Sequence, residues 1–329
     1  MKTAGLIEER AEAQAGNAPS GGGTLLLLRP RGFCAGVVRA VDIVRLALEK
    51  LGRPVYVRRE IVHNRYVVDE LAEQGAVFIE ELDEAPEGAV VIFSAHGVSP
   101  AVRQRARERG LRVIDATCPL VTKVHVELIR YVRENYSVVL IGHRDHDEVI
   151  GTLGEAPGRV QLITSVEDVG ALQVPDPQRI AYLTQTTLSV DDTAEILARL
   201  KQRFPAIVSP PGEDICYATQ NRQSAVKAVA PRIDLLLVVG ARNSSNSNRL
   251  VEVAERAGSK AYLVNSANQI HPAWLEGQRR IGITAGASTP EVLVQEVVLH
   301  LQQKGYTNIQ DVNLIEEDVR FALPVELRA

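Results

Sequence analysis

Short β-branched runs alternate with segments of helical period along almost the whole chain, and this pattern restricts the fold more than any other feature of the sequence. The runs at residues 25–28, 90–93, 138–141 and 235–239 are apolar without interruption, and 281–284 nearly so, as suits strands buried on both faces. Between the first two, Val37, Val41, Val44, Leu48 and Leu51 fall at steps of three and four and stop at Gly52, which predicts one helix; others are expected near residues 119–134, 191–204 and 290–303. Strand and helix in alternation imply an α/β protein built on parallel sheets. In such sheets ligands sit beyond the carboxyl ends of the strands, so the residues just after each apolar run carry the chemistry.

Those residues fall into three rounds. Cys34, His63-Asn64 and Ser94-Ala95-His96-Gly97 follow strands of the first. The second has Cys118, then Gly142-His143-Arg144-Asp145-His146-Asp147-Glu148 and Thr184-Gln185-Thr186-Thr187. The third has Cys216, reached through a weak apolar run at 207–208 and a proline-rich loop, then Asn243-Ser244-Ser245-Asn246-Ser247-Asn248 and Gly286-Ala287-Ser288. Each round is one cysteine loop and two polar loops, and the cysteines recur at about the length of one small α/β unit. The expected organisation is an extension at 1–23 read as disordered, units at 24–118, 119–212 and 213–305, and a tail at 306–329 packed on the core. The first strand and the Cys34 loop are expected to be able to pack with the third unit. Three quasi-equivalent units around an axis would bring three thiols to one point.

Composition narrows the function classes. The 37 Lys and Arg against 41 Asp and Glu leave a formal charge of −4, which gives no electrostatic reason for a nucleic-acid or membrane-surface partner. No apolar run approaches the ~20 residues of a membrane span, and residues 1–23 lack the apolar core of a signal peptide. Three cysteines without a CxxC pair fit neither a disulfide framework nor the spacing of compact zinc sites. A cytoplasmic protein is expected.

All three cysteines stand just ahead of a predicted helix start, where the positive end of the helix dipole is expected to lower a thiol pKa. Buried structural thiols, a tetrahedral zinc site with one histidine, and a four-iron, four-sulfur cluster with three protein ligands remain open on this pattern alone. The last would leave one iron open to substrate. Among the histidines, those at loop ends can donate to an anion, whereas His125, His271 and His300 are expected to be satisfied by backbone in the core. The Ser/Asn run before Arg249 puts donors at a helix N-terminus, suited to phosphate oxygens, with Ser288 nearby in the scheme. Glu148 can serve as a proton donor if burial raises its pKa, with Thr186 to relay or orient the proton. The arginines from Arg103 to Arg112 read as a solvated helix face in preference to a docking patch.

Several segments carry a closer likeness: Pro30-Arg31-Gly32-Phe33-Cys34-Ala35-Gly36-Val37, Val62-His63-Asn64-Arg65, Phe93-Ser94-Ala95-His96-Gly97-Val98, Asp115-Ala116-Thr117-Cys118-Pro119-Leu120-Val121, Thr184-Gln185-Thr186-Thr187-Leu188-Ser189, Asp214-Ile215-Cys216-Tyr217-Ala218-Thr219 and the Asn243–Asn248 run. In order and spacing, from about Thr24 onward, the chain resembles the 4-hydroxy-3-methylbut-2-enyl diphosphate reductase family. The resemblance implies three α/β domains in pseudo-threefold arrangement around a central iron–sulfur cluster, a [4Fe-4S] cluster held by Cys34, Cys118 and Cys216 with one iron open. It implies that His63, His96 and His146, with Ser244, Ser245, Asn246 and Ser288, grip the diphosphate of a branched allylic substrate. Glu148 would be the proton donor, and Thr186 would sit beside the substrate hydroxyl. Two electrons and two protons would remove that hydroxyl as water, giving isopentenyl and dimethylallyl diphosphates. Ferredoxin or flavodoxin is the implied electron donor, and a monomer is expected. The alternatives are an iron–sulfur hydro-lyase using the open iron only as a Lewis acid, and a non-enzymatic iron–sulfur sensor. One departure stands out: Asp147 occupies the middle of His146-Asp147-Glu148, where the family has proline. The loop loses a φ restraint and gains a negative charge beside the expected acid.

Overall fold

The structure is a computed structural model that describes residues 22–328. Its strands are β1 (Thr24–Arg29), β2 (Val55–Arg58), β3 (Ala76–Ile79), β4 (Val90–Phe93), β5 (Arg112–Asp115), β6 (Ser137–Ile141), β7 (Val160–Ile163), β8 (Ile180–Thr184), β9 (Leu235–Val239), β10 (Lys260–Val264), β11 (Arg280–Ala285) and β12 (Asn308–Asn313). The helices are α1 (Ala35–Leu51), α2 (Arg65–Glu73), α3 (Pro100–Glu108), α4 (Pro119–Arg133), α5 (Asp147–Glu155), α6 (Val190–Arg203), α7 (Tyr217–Val229), α8 (Ser245–Arg256), α9 (Pro272–Leu275) and α10 (Glu291–Gln303). The expected extension lies outside the described residues up to position 21. Regular pairing begins at Gly23, whose N–H donates to Gly305 and whose carbonyl accepts from Asn308.

Three sheets form, ordered β10-β9-β11-β1-β12, β3-β2-β4-β5 and β7-β6-β8. Every strand pair in them is parallel. They share a core order, since β3-β2-β4, β7-β6-β8 and β10-β9-β11 each place the first strand of a round between the second and the third. The chain therefore reverses direction across each first strand, and this switch point opens the crevice in which α/β sheets hold ligands. The strand beside the third is the one that leads to a cysteine: β5 runs to Cys118 and β1 to Cys34. In the remaining sheet the apolar run at 207–208 is not a strand. Val208 makes one isolated parallel bridge to Ala181 of β8 before the chain reaches Cys216. Pro210 and Pro211 follow at once, and residues without an N–H cannot extend the ladder.

The chain divides into two compact units. One runs to Gly32 and resumes from Arg222 to Glu317, containing the five-stranded sheet. Leu25, Leu27, Leu237 and Ile283 on one face pack with Val294, Val297 and Leu301 of α10. Leu26, Leu28, Leu236 and Val238 on the other pack with Val226 of α7 and Leu250 and Val253 of α8. Coverage on both sides explains why the central positions of these strands are almost all apolar. The fully buried Arg222 pairs with Glu317 at 3.0 Å and donates to the Gly32 carbonyl at 2.7 Å.

The other unit, Phe33–Asn221 with the chain from Asp318 onward, holds the remaining two sheets. Here α1 buries Val37, Val41, Val44 and Leu48 against Val55, Val57, Ile92 and Ile114, each large aliphatic contributing roughly 1.5–3 kcal/mol. Gly52 ends α1 at φ 83°, a left-handed conformation that glycine adopts without strain. Leu327 joins the same core from the C-terminal end.

Candidate active site

Each cysteine stands at the start of a helix. Cys34 caps α1 and Cys118 caps α4, with Pro119 at its first position, while Cys216 immediately precedes α7. The backbone N–H groups of Leu120 and Val121 point toward the Cys118 thiol and favour its charged form. The Cys216 sulfur accepts from the backbone of Thr219, whose Oγ1 lies 3.2 Å away. All three thiols are free of disulfides. Gly36 shows how closely two of them approach: a Cβ there would lie 2.7 Å from the Cys118 sulfur and 3.8 Å from that of Cys34.

The helix dipole does not decide Cys118 and Cys216. Burial pushes Cys118 up to about 12 and Cys216 up to about 11, outweighing the hydrogen bonds that favour thiolate, and the neighbouring cysteines raise both further. Three sulfurs at three helix starts, two of them close to a glycine cleared of side chain and two held as thiols by burial, suit a soft, multiply cationic centre that would stabilise all three thiolates at once. The donor set fits an iron–sulfur group. A second set is less suited: ligand atoms of His63, His96 and Asp147 lie within 4.8 Å of one another, but the Asp147 carboxylate is already engaged by Arg59.

The same unit gathers the three histidines. His63 follows β2 and His96 follows β4, and their rings stack at 4.0 Å. His146, after β6, meets both edge-on at 5.3 and 5.9 Å. Glu60 holds His63 through Nδ1 at 3.1 Å. The N–H of Glu148 donates to Nδ1 of His146 at 3.2 Å, so Nε2 carries the proton of the neutral ring. Burial, reinforced by the other rings, lowers His96 well below the usual imidazole range and His146 to about 4. Both are neutral near pH 7.

Glu148 lies in the first turn of α5 and is buried, and that burial raises its pKa to about 7. Its carboxylate accepts from the N–H and the hydroxyl of Thr186, just beyond β8, at 2.6 and 2.8 Å. Its charge also acts on Cys216. Cys34, Cys118, Cys216, His63, His96, His146, Glu148 and Thr186 thus all belong to one unit.

The first unit holds the remaining residues. Ser244 caps α8 by accepting from the N–H of Ser247. The Asn246 Oδ1 accepts from the N–H of Ala287 at 2.8 Å, joining the loop after β9 to the one after β11 that carries Ser288. Ser244, Asn246 and Ser288 are buried and Ser245 half-buried, in the first turn of α8 or beside it.

Several contributors were not singled out from the sequence. Asp214 is buried, accepts from the N–H of Thr184 at 3.0 Å, pairs with Lys123 at 3.2 Å, and helps to raise Glu148. Gln185 Oε1 accepts from the N–H of His143 at 3.0 Å, tying the β6 and β8 loops together. Arg59 pairs with Asp147. His125 is buried as expected, but its partner is the Glu155 carboxylate at 2.9 Å, which Arg103 shares at 2.7 Å, instead of backbone. His271 is exposed and caps α9, which corrects its placement in the core. Arg105 and Arg109 pair with Asp83, so the arginine run is occupied by local partners.

The family described as LytB protein matches residues 25–302. The chain is 63% identical over 300 residues to 4-hydroxy-3-methylbut-2-enyl diphosphate reductase of Bordetella pertussis, covering 91% of this chain and 92% of that protein. It is 59% identical over 306 residues to the protein of the same name from Rhodococcus jostii, covering 93% and 91%. Among solved structures, the E-1-hydroxy-2-methyl-but-2-enyl-4-diphosphate reductase from Plasmodium falciparum aligns with a TM-score of 0.90 at 41% identity, covering 93% of this chain and 97% of that one. A structure of (E)-4-hydroxy-3-methyl-but-2-enyl diphosphate reductase, described as the terminal enzyme of the non-mevalonate pathway, aligns with a TM-score of 0.61 at 33% identity, covering 85% and 99%.

Proposed function

The chain belongs to the LytB protein family, and from that premise we infer that it reduces 4-hydroxy-3-methylbut-2-enyl diphosphate in the last step of the non-mevalonate route to isoprenoid precursors. The reaction is a reductive dehydroxylation. The terminal C–O bond breaks, two electrons and two protons enter, and the hydroxyl leaves as water, giving isopentenyl and dimethylallyl diphosphates. A [4Fe-4S] cluster carried on Cys34, Cys118 and Cys216, with one iron lacking a protein thiolate, would supply the electrons and a Lewis acid.

The residues divide the rest of the work. With its pKa near 7, Glu148 is substantially protonated at neutral pH and can act as an acid. In that state its O–H donates to the Thr186 oxygen, which turns the Thr186 hydroxyl proton outward to the substrate hydroxyl. Once the proton has passed, the Glu148 carboxylate regains the Thr186 N–H and O–H as donors, which stabilises the deprotonated product state. Neutral His146 presents its Nε2–H, and His63 and His96 are assigned with it to the diphosphate. Ser244, Ser245, Asn246 and Ser288 are assigned to the same ligand through hydroxyl, amide and helix N-terminal donors. The observation that carries this reading is the buried Glu148–Thr186 pair, whose carboxylate acts on Cys216, in the unit that holds three cysteines at helix starts. A hydro-lyase would need no reductant. The test is turnover by anaerobically purified, cluster-loaded protein with the allylic hydroxy diphosphate, products identified by mass. Both five-carbon diphosphates are expected only when a chemical reductant is present; conversion without one, or none at all, would reject the reductase.

A further inference from the structure

A carboxylate stands where an anion-binding cluster should least tolerate one. Asp147 places an oxygen within 4.8 Å of ring nitrogens of both His63 and His96, next in sequence to His146. Because His96 and His146 are neutral, they bring donors to a diphosphate but no formal charge to offset that carboxylate. Arg59 provides the offset. It follows β2 in a left-handed conformation, φ 57°, rare for a residue with a side chain, and its N–H is fixed to the Ile79 carbonyl. From there its guanidinium Nη1 meets Asp147 Oδ1, both side chains being mostly buried, with the Glu80 carboxylate 3.9 Å from Nε at the outer side. The pair reaches the rings as well, since the Arg59 charge acts on His96 and that of Asp147 on His146.

We propose that Arg59 is a positioning residue for substrate binding: it holds and neutralises Asp147, so that the histidine cluster can accept a diphosphate. This rests on the assignment of the three histidines to the diphosphate. It makes the two single substitutions unequal. Arg59→Gln leaves an uncompensated carboxylate facing the anion, whereas Asp147→Asn removes the repulsion at its source.

The experiment is titration of cluster-loaded enzyme with inorganic diphosphate, together with steady-state kinetics. Arg59→Gln is expected to weaken diphosphate binding about tenfold and to raise KM more than it lowers kcat, with a defect that shrinks as salt is raised. Asp147→Asn is expected to bind diphosphate at least as tightly as the wild type. The double variant Arg59→Gln/Asp147→Asn should return to within about twofold of the wild type. Arg59→Lys keeps the charge and should lose little, which maintains the test if Arg59→Gln fails to fold. Unchanged binding in Arg59→Gln overturns the proposal. So does a double variant as weak as Arg59→Gln alone, because Arg59 would then touch the diphosphate itself. His96→Ala reports separately on the parent assignment: if it binds diphosphate like the wild type, the histidine assignment fails, whatever Arg59 does.

Discussion

At the scale of single residues, burial outweighs local electrostatics. Glu148 has two donors that favour its carboxylate, yet desolvation carries it to about 7. As the acid form is the donor, turnover should be full below this value and fall along a one-proton limb as pH rises through it. Glu148→Gln is expected to lose a hundredfold or more in kcat, roughly the scale of general acid catalysis, and to keep the visible absorbance of the loaded enzyme. Thr186→Val deletes a hydrogen bond that lowers the Glu148 pKa, so the limb should move to higher pH while the rate falls; a limb that stays or moves down would contradict the relay. Cys118 and Cys216 follow the same rule. Their position ahead of helices is readable from residue order, but the sign of their pKa shift is not, because it depends on atoms brought in from distant segments. Arg59–Asp147 was unreadable for that reason also: nothing in two charges so far apart along the chain says that a left-handed residue will aim one at the other.

At the scale of elements, the strand and helix pattern was legible because parallel strands covered on both faces leave uninterrupted apolar runs. The exception, at 207–208, makes one bridge, with the Val208 N–H donating to the Ile180 carbonyl, but Pro210 and Pro211 beyond it lack the donors that a longer ladder needs. Helix starts were legible too, and they put the chemistry at one end of each sheet. Less visible was the demand for space at Gly36. Gly36 is the second residue of α1, where the gain in helix propensity from alanine is small, while its methyl would lie 2.7 Å from the Cys118 sulfur and force it to move. The expected outcome of Gly36→Ala is less iron bound per chain with no gain in the melting temperature of the apoprotein. Ser244→Ala tests the other unit, where losing the α8 cap should cost about 1 kcal/mol in chemical denaturation.

At the scale of the whole molecule, the three sheets repeat one strand order although the residues filling them show little repetition. Chain order alone could suggest this through the recurrence of one cysteine loop and two polar loops. The strand neighbours themselves came only with the structure. Among the described residues no helix is long and apolar enough to cross a membrane. The C-terminal stretch serves both units separately, giving β12 and Glu317 to one and Leu327 to the core of the other. Removing one member of a buried ion pair costs about 3–5 kcal/mol, so Glu317→Ala should lower the urea midpoint far more than Glu291→Ala, whose pair with Arg31 leaves the acid half exposed.

The placement of β1 between β11 and β12 has a consequence in time. On the ribosome, β1 is made long before β11 and β12, so it must wait through most of the other described elements before either flanking strand exists. A nascent chain cannot finish this sheet until β12 has been made, and until β11 or β12 exists β1 has no strand beside it. Slow translation of the segment between β1 and β11 should therefore prolong the interval in which the newborn protein needs chaperone protection.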